Sequence, residues 1–280
     1  MAILFVERLT IVDFSYLDQR RGLVGESWLL DLELEGELNS QAMIFDFSLV
    51  KKTVKQWIDR HIDHKLLVPG ASSGYYQTTS HGKTTLTFRM DSGDHIKHIG
   101  PEEATRVING IAFITPDAVA NYAQSELKKF LPDNIDKITI KFNTEEIEGA
   151  YYQYSHGLEK HQGNCQRIAH GHRSKIKILV DNSRSSKWES YWADKLRDIY
   201  IASEFHQKPS SLENYSVFTY EAEQGKFSLE LNADSCYLIP TESTVEQIAI
   251  HIAQETSKLT NGKIVVYAYE GVGKGSVAKA

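Results

Sequence analysis

Residues 114–125 read ITPDAVANYAQS and residues 239–251 read IPTESTVEQIAIH, and the likeness of these two stretches decides the fold. Each opens on Ile with a Thr and a Pro beside it, then spaces its apolar residues for one face of a helix. Val119 matches Val245 and Ala123 matches Ala249. The strands that follow keep the same spacing, pairing Ile138 with Ile264, Ile140 with Val266 and Gly149 with Gly275. Upstream, 75–90 (YYQTTSHGKTTLTFRM) resembles 217–231 (VFTYEAEQGKFSLEL) through Gly82-Lys83 and Gly225-Lys226. Further back, Phe14-Ser15-Tyr16 pairs with Tyr154-Ser155-His156. Matches that keep their order while their spacing drifts are what a duplication with loop insertions leaves. Two units are therefore expected, residues 1–146 and 147–280. No Pro/Gly/Ser-rich linker separates them, which predicts rigid packing of one on the other.

Period and punctuation fill in each unit. Residues 28–35 (WLLDLELE), 138–142, 174–180 (SKIKILV) and 264–269 read as strands. Residues 46–60 place Phe47, Val50, Val54, Trp57 and Ile58 on one helical face, with Asp46 as N-cap. Residues 117–131 repeat this with Val119, Tyr122, Ala123, Leu127 and Phe130. Each half reads strand, strand, helix, hairpin, helix, strand. Hairpins with segregated helices predict an α+β fold with antiparallel sheets.

The 280 residues carry 31 basic and 37 acidic side chains, a net charge of -6 and a pI near 6.0. That balance argues against a general nucleic-acid binder, which needs a basic surface to neutralise phosphates. No apolar run approaches the roughly 18 residues of a membrane helix, and Glu7 and Arg8 interrupt what a signal peptide would keep apolar. Two cysteines, Cys165 and Cys236, make no disulfide framework. The expectation is a cytoplasmic protein with free thiols and no membrane partner.

The chemistry concentrates in 154–172, YSHGLEKHQGNCQRIAHGH, which holds four histidines and one cysteine. His170 and His172 alternate, so on a strand both face one way, and His156 on the preceding strand can join them. Three imidazoles with an open fourth position is the pattern of catalytic zinc. His161 is left as a loop residue. Cys165, in the loop between those strands, would be acidified by a nearby cation and serve as base or nucleophile. Cys236, before an apolar segment, reads as core. Asp63-His64 follows the first helix and suits an oriented general acid/base. Glu270 ends an apolar strand, where a carboxylate can read a guanidine-like edge. GVGKGS (271–276) lacks the spacing of a phosphate loop.

These motifs resemble the 6-pyruvoyl-tetrahydropterin and 6-carboxytetrahydropterin synthase family. The resemblance rests on Tyr154-Ser155-His156-x-Leu158, then Cys165, then His170-Gly171-His172. Met43-x-x-Asp46-Phe47-x-x-x-Lys51, Asp63-His64-x-x-Leu67 and a closing Glu270 add to it. It implies the tunnelling fold, antiparallel sheets with two helices on one side, closing into barrels as a homo-oligomer. It also implies a zinc-dependent lyase acting on 7,8-dihydroneopterin triphosphate. Zn2+ would sit on His156, His170 and His172; Cys165, Asp63 and His64 would be catalytic, and Glu270 would anchor the pterin.

The first half departs from this pattern, with Tyr16 at the place of His156, Val24 and Glu26 at the places of His170 and His172, and Thr144 at the place of Glu270. It should bind neither zinc nor pterin. The second half lacks a clear Asp-His, offering only Glu204-Phe205-His206 beyond its helix near Asp194. The losses are complementary, so one full site assembled from both halves is expected. Arg167, Lys160 and Arg173 are candidates for phosphate contacts. A non-catalytic zinc-containing pterin- or purine-binding protein is the alternative; a tandem fold of the urate-oxidase type, which needs no metal, is disfavoured by the histidine trio.

Overall fold

The structure, a computed structural model, describes residues 2–280. Its first half runs β1 (Ala2–Asp18), β2 (Gly22–Gly36), α1 (Phe47–His61), β3 (Leu66–Pro69), β4 (Tyr75–Ser80), β5 (Lys83–Arg89), β6 (His95–Pro101), β7 (Thr105–Ile108), α2 (Pro116–Leu127) and β8 (Ile135–Thr144). The second runs β9 (Tyr151–His156), β10 (His170–Val180), β11 (Ser183–Arg184), α3 (Ser186–Lys195), β12 (Ile199–Ser203), β13 (Gln207–Lys208), β14 (Tyr215–Ala222), β15 (Gly225–Asn232), β16 (Cys236–Ile239), α4 (Val245–Leu259), β17 (Ile264–Tyr269) and β18 (Gly275–Lys279). The fold class is α+β.

One sheet is ordered β7-β3-β1-β2-β8, and a second repeats that order as β16-β12-β9-β10-β17, with β18 added at its edge and β11 folded onto β10. The long pairings β1–β2, β2–β8, β9–β10 and β10–β17 are antiparallel, and the short strands β3, β7, β12 and β16 join in parallel. Alternation sets the faces. Leu30, Leu32 and Leu34 of β2 point under α1 and α2, meeting Val50, Val54, Ile58, Val119 and Ala123. In the second sheet Ile176 and Ile178 meet Trp192, Ile248 and Ile252 in the same way. Asp46 caps α1 as expected, accepting from the N–H groups of Ser48 and Leu49. Phe47 and Phe130, expected on buried faces, are exposed: Phe47 opens α1, and Phe130 ends the 3-10 turn Lys128–Phe130 that follows α2, off the helical face.

The third sheet, β13-β14-β15-β6-β5-β4, joins the halves through β6–β15. Its order corrects the reading of the hairpins. β15 and β6 each lead through a single 3-10 turn (Ala233–Ser235 and Glu102–Ala104) into β16 and β7. The hairpin 217–231 therefore corresponds to β5–β6 rather than to 75–90. The Gly-Lys likeness came from two tight turns that share chemistry without sharing place. The helix caps also shift the match between α2 and α4: Thr115 and Thr244 are the N-caps, which sets Val119 opposite Ile248.

His98 lies in the middle of this shared sheet, between Leu86 and Leu229, with both ring nitrogens buried and unpartnered. Burial pushes its pKa down from 6.5 to about 4. The folded protein thus binds fewer protons than the unfolded chain between those values. Stability is complete above pH 6.5 and falls as pH drops toward 4, by about 3 kcal/mol in total. His98→Leu should remove this part of the acid sensitivity and raise stability at pH 5; urea titrations of both proteins at pH 7.5 and 5 measure it.

Beside the helix-covered cores, the two large sheets cross at their site-bearing ends. Ser15 and Ser155, both buried, share a hydrogen bond of 2.7 Å across the crossing. Gly25 of β2 meets β9 and β10 backbone to backbone: a Cβ there would lie 1.8 Å from Tyr154 O and 2.7 Å from His172 N. A Cβ on Gly171 would lie 2.6 Å from Gly25 Cα. Only glycine allows this approach, and it is what brings residues of the first half within reach of the second half's histidines.

Candidate functional site

His156 and His170 are directly opposed across β9–β10, and His172 follows two residues on along the same face. All three are buried. Their ligand nitrogens lie within 4.8 Å of one another, with His156 Nε2 and His172 Nε2 3.2 Å apart. The outer nitrogens fix the tautomers. His156 Nδ1 lies 2.8 Å from Ser243 O and His170 Nδ1 lies 2.9 Å from Arg167 O. A carbonyl only accepts, so each Nδ1 carries the hydrogen and each Nε2 presents a lone pair. His172 Nδ1 lies 3.3 Å from the carboxylate of Asp13 but outside hydrogen-bond geometry. Burial holds His156 and His170 well below the usual imidazole range, so both are neutral. Imidazole lone pairs converging this closely repel unless a cation sits between them. The donor set therefore fits a divalent metal of the zinc type, with its outer partners already in place.

The first half supplies the other side of the site. The chain leaves α1 and turns at His64, whose φ is +53, a conformation that costs a non-glycine residue energy and is found at functional positions. His64 N–H donates to Asp13 O, and Asp13 N–H donates to Asp63 Oδ1 at 3.0 Å. Asp63 Oδ2 lies 2.6 Å from His64 Nδ1, and the His64 ring stacks on His170 at 5.1 Å between centroids. Cys165 Sγ, a nitrogen of His64 and a nitrogen of His170 lie within 4.8 Å of one another. Burial disfavours a charge on His64. Its hydrogen bonds to Asp63 and Cys165 outweigh that and push it up to about 10.

Glu270 Oε1 lies 4.0 Å from His172 Nε2, at the end of β17 as expected. Lys274 spans Asp13 (3.2 Å) and Glu270 (3.9 Å). Asp13 is buried, accepts from Ser27 Oγ, and despite its burial is held well below the usual carboxylate range by His172 and Lys274. Asp13, Ser27 and Lys274 were not picked out in the sequence. An acid inside the apolar run 11–17 (IVDFSYL) was the available signal for Asp13. Arg167 packs its guanidinium on the carbonyls of Asp63 and His64, whereas Arg173 stacks on Tyr151 and Lys160 lies beside Glu242. His161 stays in the loop, and Cys236 packs beside the third sheet's core.

The mirror-related pocket is built differently. Glu26, at the place of His172, bonds to Gln153, which stands where Asp13 stands in the other half. Burial raises Glu26 to about 7 in spite of its hydrogen bond from Ser27 N–H and the nearby Arg173 and Arg21. The counterpart of Asp63-His64 is Arg197-Asp198, not Glu204-Phe205-His206. Asp198 has a φ of +56, and its N–H donates to Gln153 O as that of His64 does to Asp13 O. Between Asp198 and Tyr16 lies Arg21. It binds both oxygens of Asp198 (2.6 and 2.9 Å), Gln153 Oε1 (2.7 Å) and Tyr16 Oη (3.1 Å). A guanidinium thus occupies the mirror pocket.

Fold and site together define an α+β protein with one histidine centre at the crossing of two sheets. Residues 14–146 match the model of the 6-pyruvoyl tetrahydropterin synthase family. The matched range holds Asp63 and His64; the histidine trio lies outside it. A putative 6-carboxy-5,6,7,8-tetrahydropterin synthase of Pyrococcus horikoshii is 33% identical over 57 residues, which are 20% of this chain and 33% of that protein. The chain thus spans about a third of the length of that curated relative. The 6-pyruvoyltetrahydropterin synthases of Plasmodium vivax and Plasmodium falciparum are similar in structure at a TM-score of 0.41, with 16% and 17% identity, over 51% of this chain and 90% of theirs. Among the described residues no helix is long and apolar enough to cross a membrane.

Proposed function

We propose that the chain is a pterin synthase-type lyase with one composite site, acting on 7,8-dihydroneopterin triphosphate by triphosphate elimination or side-chain cleavage. The observation that carries this reading is His64 of the first half, bonded to Asp63, lying on His170 and beside Cys165. Residues 1–146 and 147–280 are read as tandem copies of one tunnelling-fold unit, each having kept what the other lost, in a cytoplasmic homo-oligomer. The repeated sheet order supports this.

His156, His170 and His172 would hold Zn2+, which when bound polarises the substrate's side-chain oxygens and acidifies the adjacent C–H. Cys165, as thiolate, would take that proton. His64, protonated beside Asp63, would return a proton on the other side, and Asp63 keeps the ring turned to the site. Asp13 stands beside His172 Nδ1. Glu270 would receive the N–H groups of the pterin edge in paired, charge-assisted hydrogen bonds, displacing the distant Lys274.

The purified full chain, analysed for metal, should contain zinc that His156→Ala and His172→Ala remove, and should turn over dihydroneopterin triphosphate. Zinc with tight pterin binding and no turnover would replace this reading with that of a binding protein.

A further inference from the structure

Behind His156, outside the site described above, Glu159, His206 and Glu242 bring one ligand atom each within 4.8 Å of one another. His206 is buried at the end of the 3-10 turn Glu204–His206, its ring against Tyr220, and its Nε2 lies 3.1 Å from Glu159 Oε2. Glu242 is the anomaly. Both of its carboxylate oxygens are buried and neither has a hydrogen-bond partner. Lys160 Nζ, on an exposed side chain, makes only a loose ion pair with Oε1 at 3.9 Å, beyond hydrogen-bonding distance. Ser243 Oγ beside it is also buried and unpartnered. A carboxylate withdrawn from water with no donor is strongly unfavourable unless a cation meets it closely.

We infer that Glu159, His206 and Glu242 form a second site, for a divalent cation. Two carboxylates and one imidazole match the charge of such an ion, and their mixed oxygen and nitrogen donors suit Zn2+ or Mn2+ better than a thiolate-seeking metal. The site shares no residue with the histidine trio, and it stands whether or not the chain is a lyase.

Its place says what it does. Glu159 lies three residues beyond His156. Glu242 precedes Ser243, whose carbonyl fixes His156 Nδ1. Ser203, at the start of the turn that carries His206, donates to Thr241 O at 2.7 Å. An ion here clamps the three segments that form the wall behind His156. It is structural, and it holds one imidazole of the main centre in orientation.

The test uses the full chain stripped with a chelator and titrated with Mn2+, followed by its electron-spin signal, and with Zn2+ by calorimetry. The wild type should bind two equivalents of Zn2+, His156→Ala/His172→Ala one, and Glu242→Gln one. Mn2+ affinity should fall at least about tenfold in Glu242→Gln. Glu159→Gln, at a partly exposed position that folding tolerates, should show the same loss. Unchanged Zn2+ stoichiometry and Mn2+ affinity in both glutamine variants would overturn the site.

Discussion

His64→Ala should lower turnover of the pterin triphosphate by about 10²–10⁴-fold, the scale of a lost general acid/base, with zinc content near wild type. His64 touches Cys165 and stacks on His170, and supplies no nitrogen to the trio. Asp63→Asn should follow it in direction, because the ring would lose the carboxylate on Nδ1. Glu270→Ala should behave differently and weaken pterin binding foremost. Turnover, metal content and pterin affinity measured on the three variants separate the roles. Full activity in His64→Ala would reduce the first half to a structural partner.

Gly25→Ala should be among the most damaging single substitutions in the chain, costing more than about 4 kcal/mol, a range reached only by specific mechanisms such as severe overpacking. The new methyl would press on Tyr154 O and His172 N, both backbone atoms that cannot swing aside. Separation of the two sheets is the available relief, and it would carry Asp13, Asp63 and His64 away from the histidines. Gly82→Ala is the control. Its Cβ meets nothing within 4 Å, so the cost there is only that of a positive φ, about 1 kcal/mol. Chemical unfolding of the two variants compares them, and a small effect at Gly25 would mean the crossing is looser than described.

The histidine trio was legible because strand alternation and one hairpin suffice to place it: both are local. Asp63-His64 was legible as a motif, and its nearness to His170 and Cys165 was expected from the residues each half carries. The role of Asp13 was not, since it depends on a crossing between strands 140 residues apart in the chain, as the Ser15–Ser155 bond measures. Arg21 and Asp198, 177 residues apart, have no shared pattern at all. The hairpin match failed for the opposite reason: turn residues repeat wherever chains reverse, so Gly82-Lys83 and Gly225-Lys226 reported turn chemistry and not position.

The guanidinium of Arg21 has a consequence for how the molecule answers its surroundings. An ion held by imidazoles can leave, be stripped by a chelator or be exchanged for a competitor. A cation on a covalent tether can do none of these. With an ion on the trio, the two faces of the crossing would differ in permanence: one charge drawn from solution, the other written into the chain. In a pair of identical subunits any change to one pocket is a change to both. Here the pocket filled by Arg21 is a fixed brace, and on the proposed reading the number of working centres would follow the number of chains.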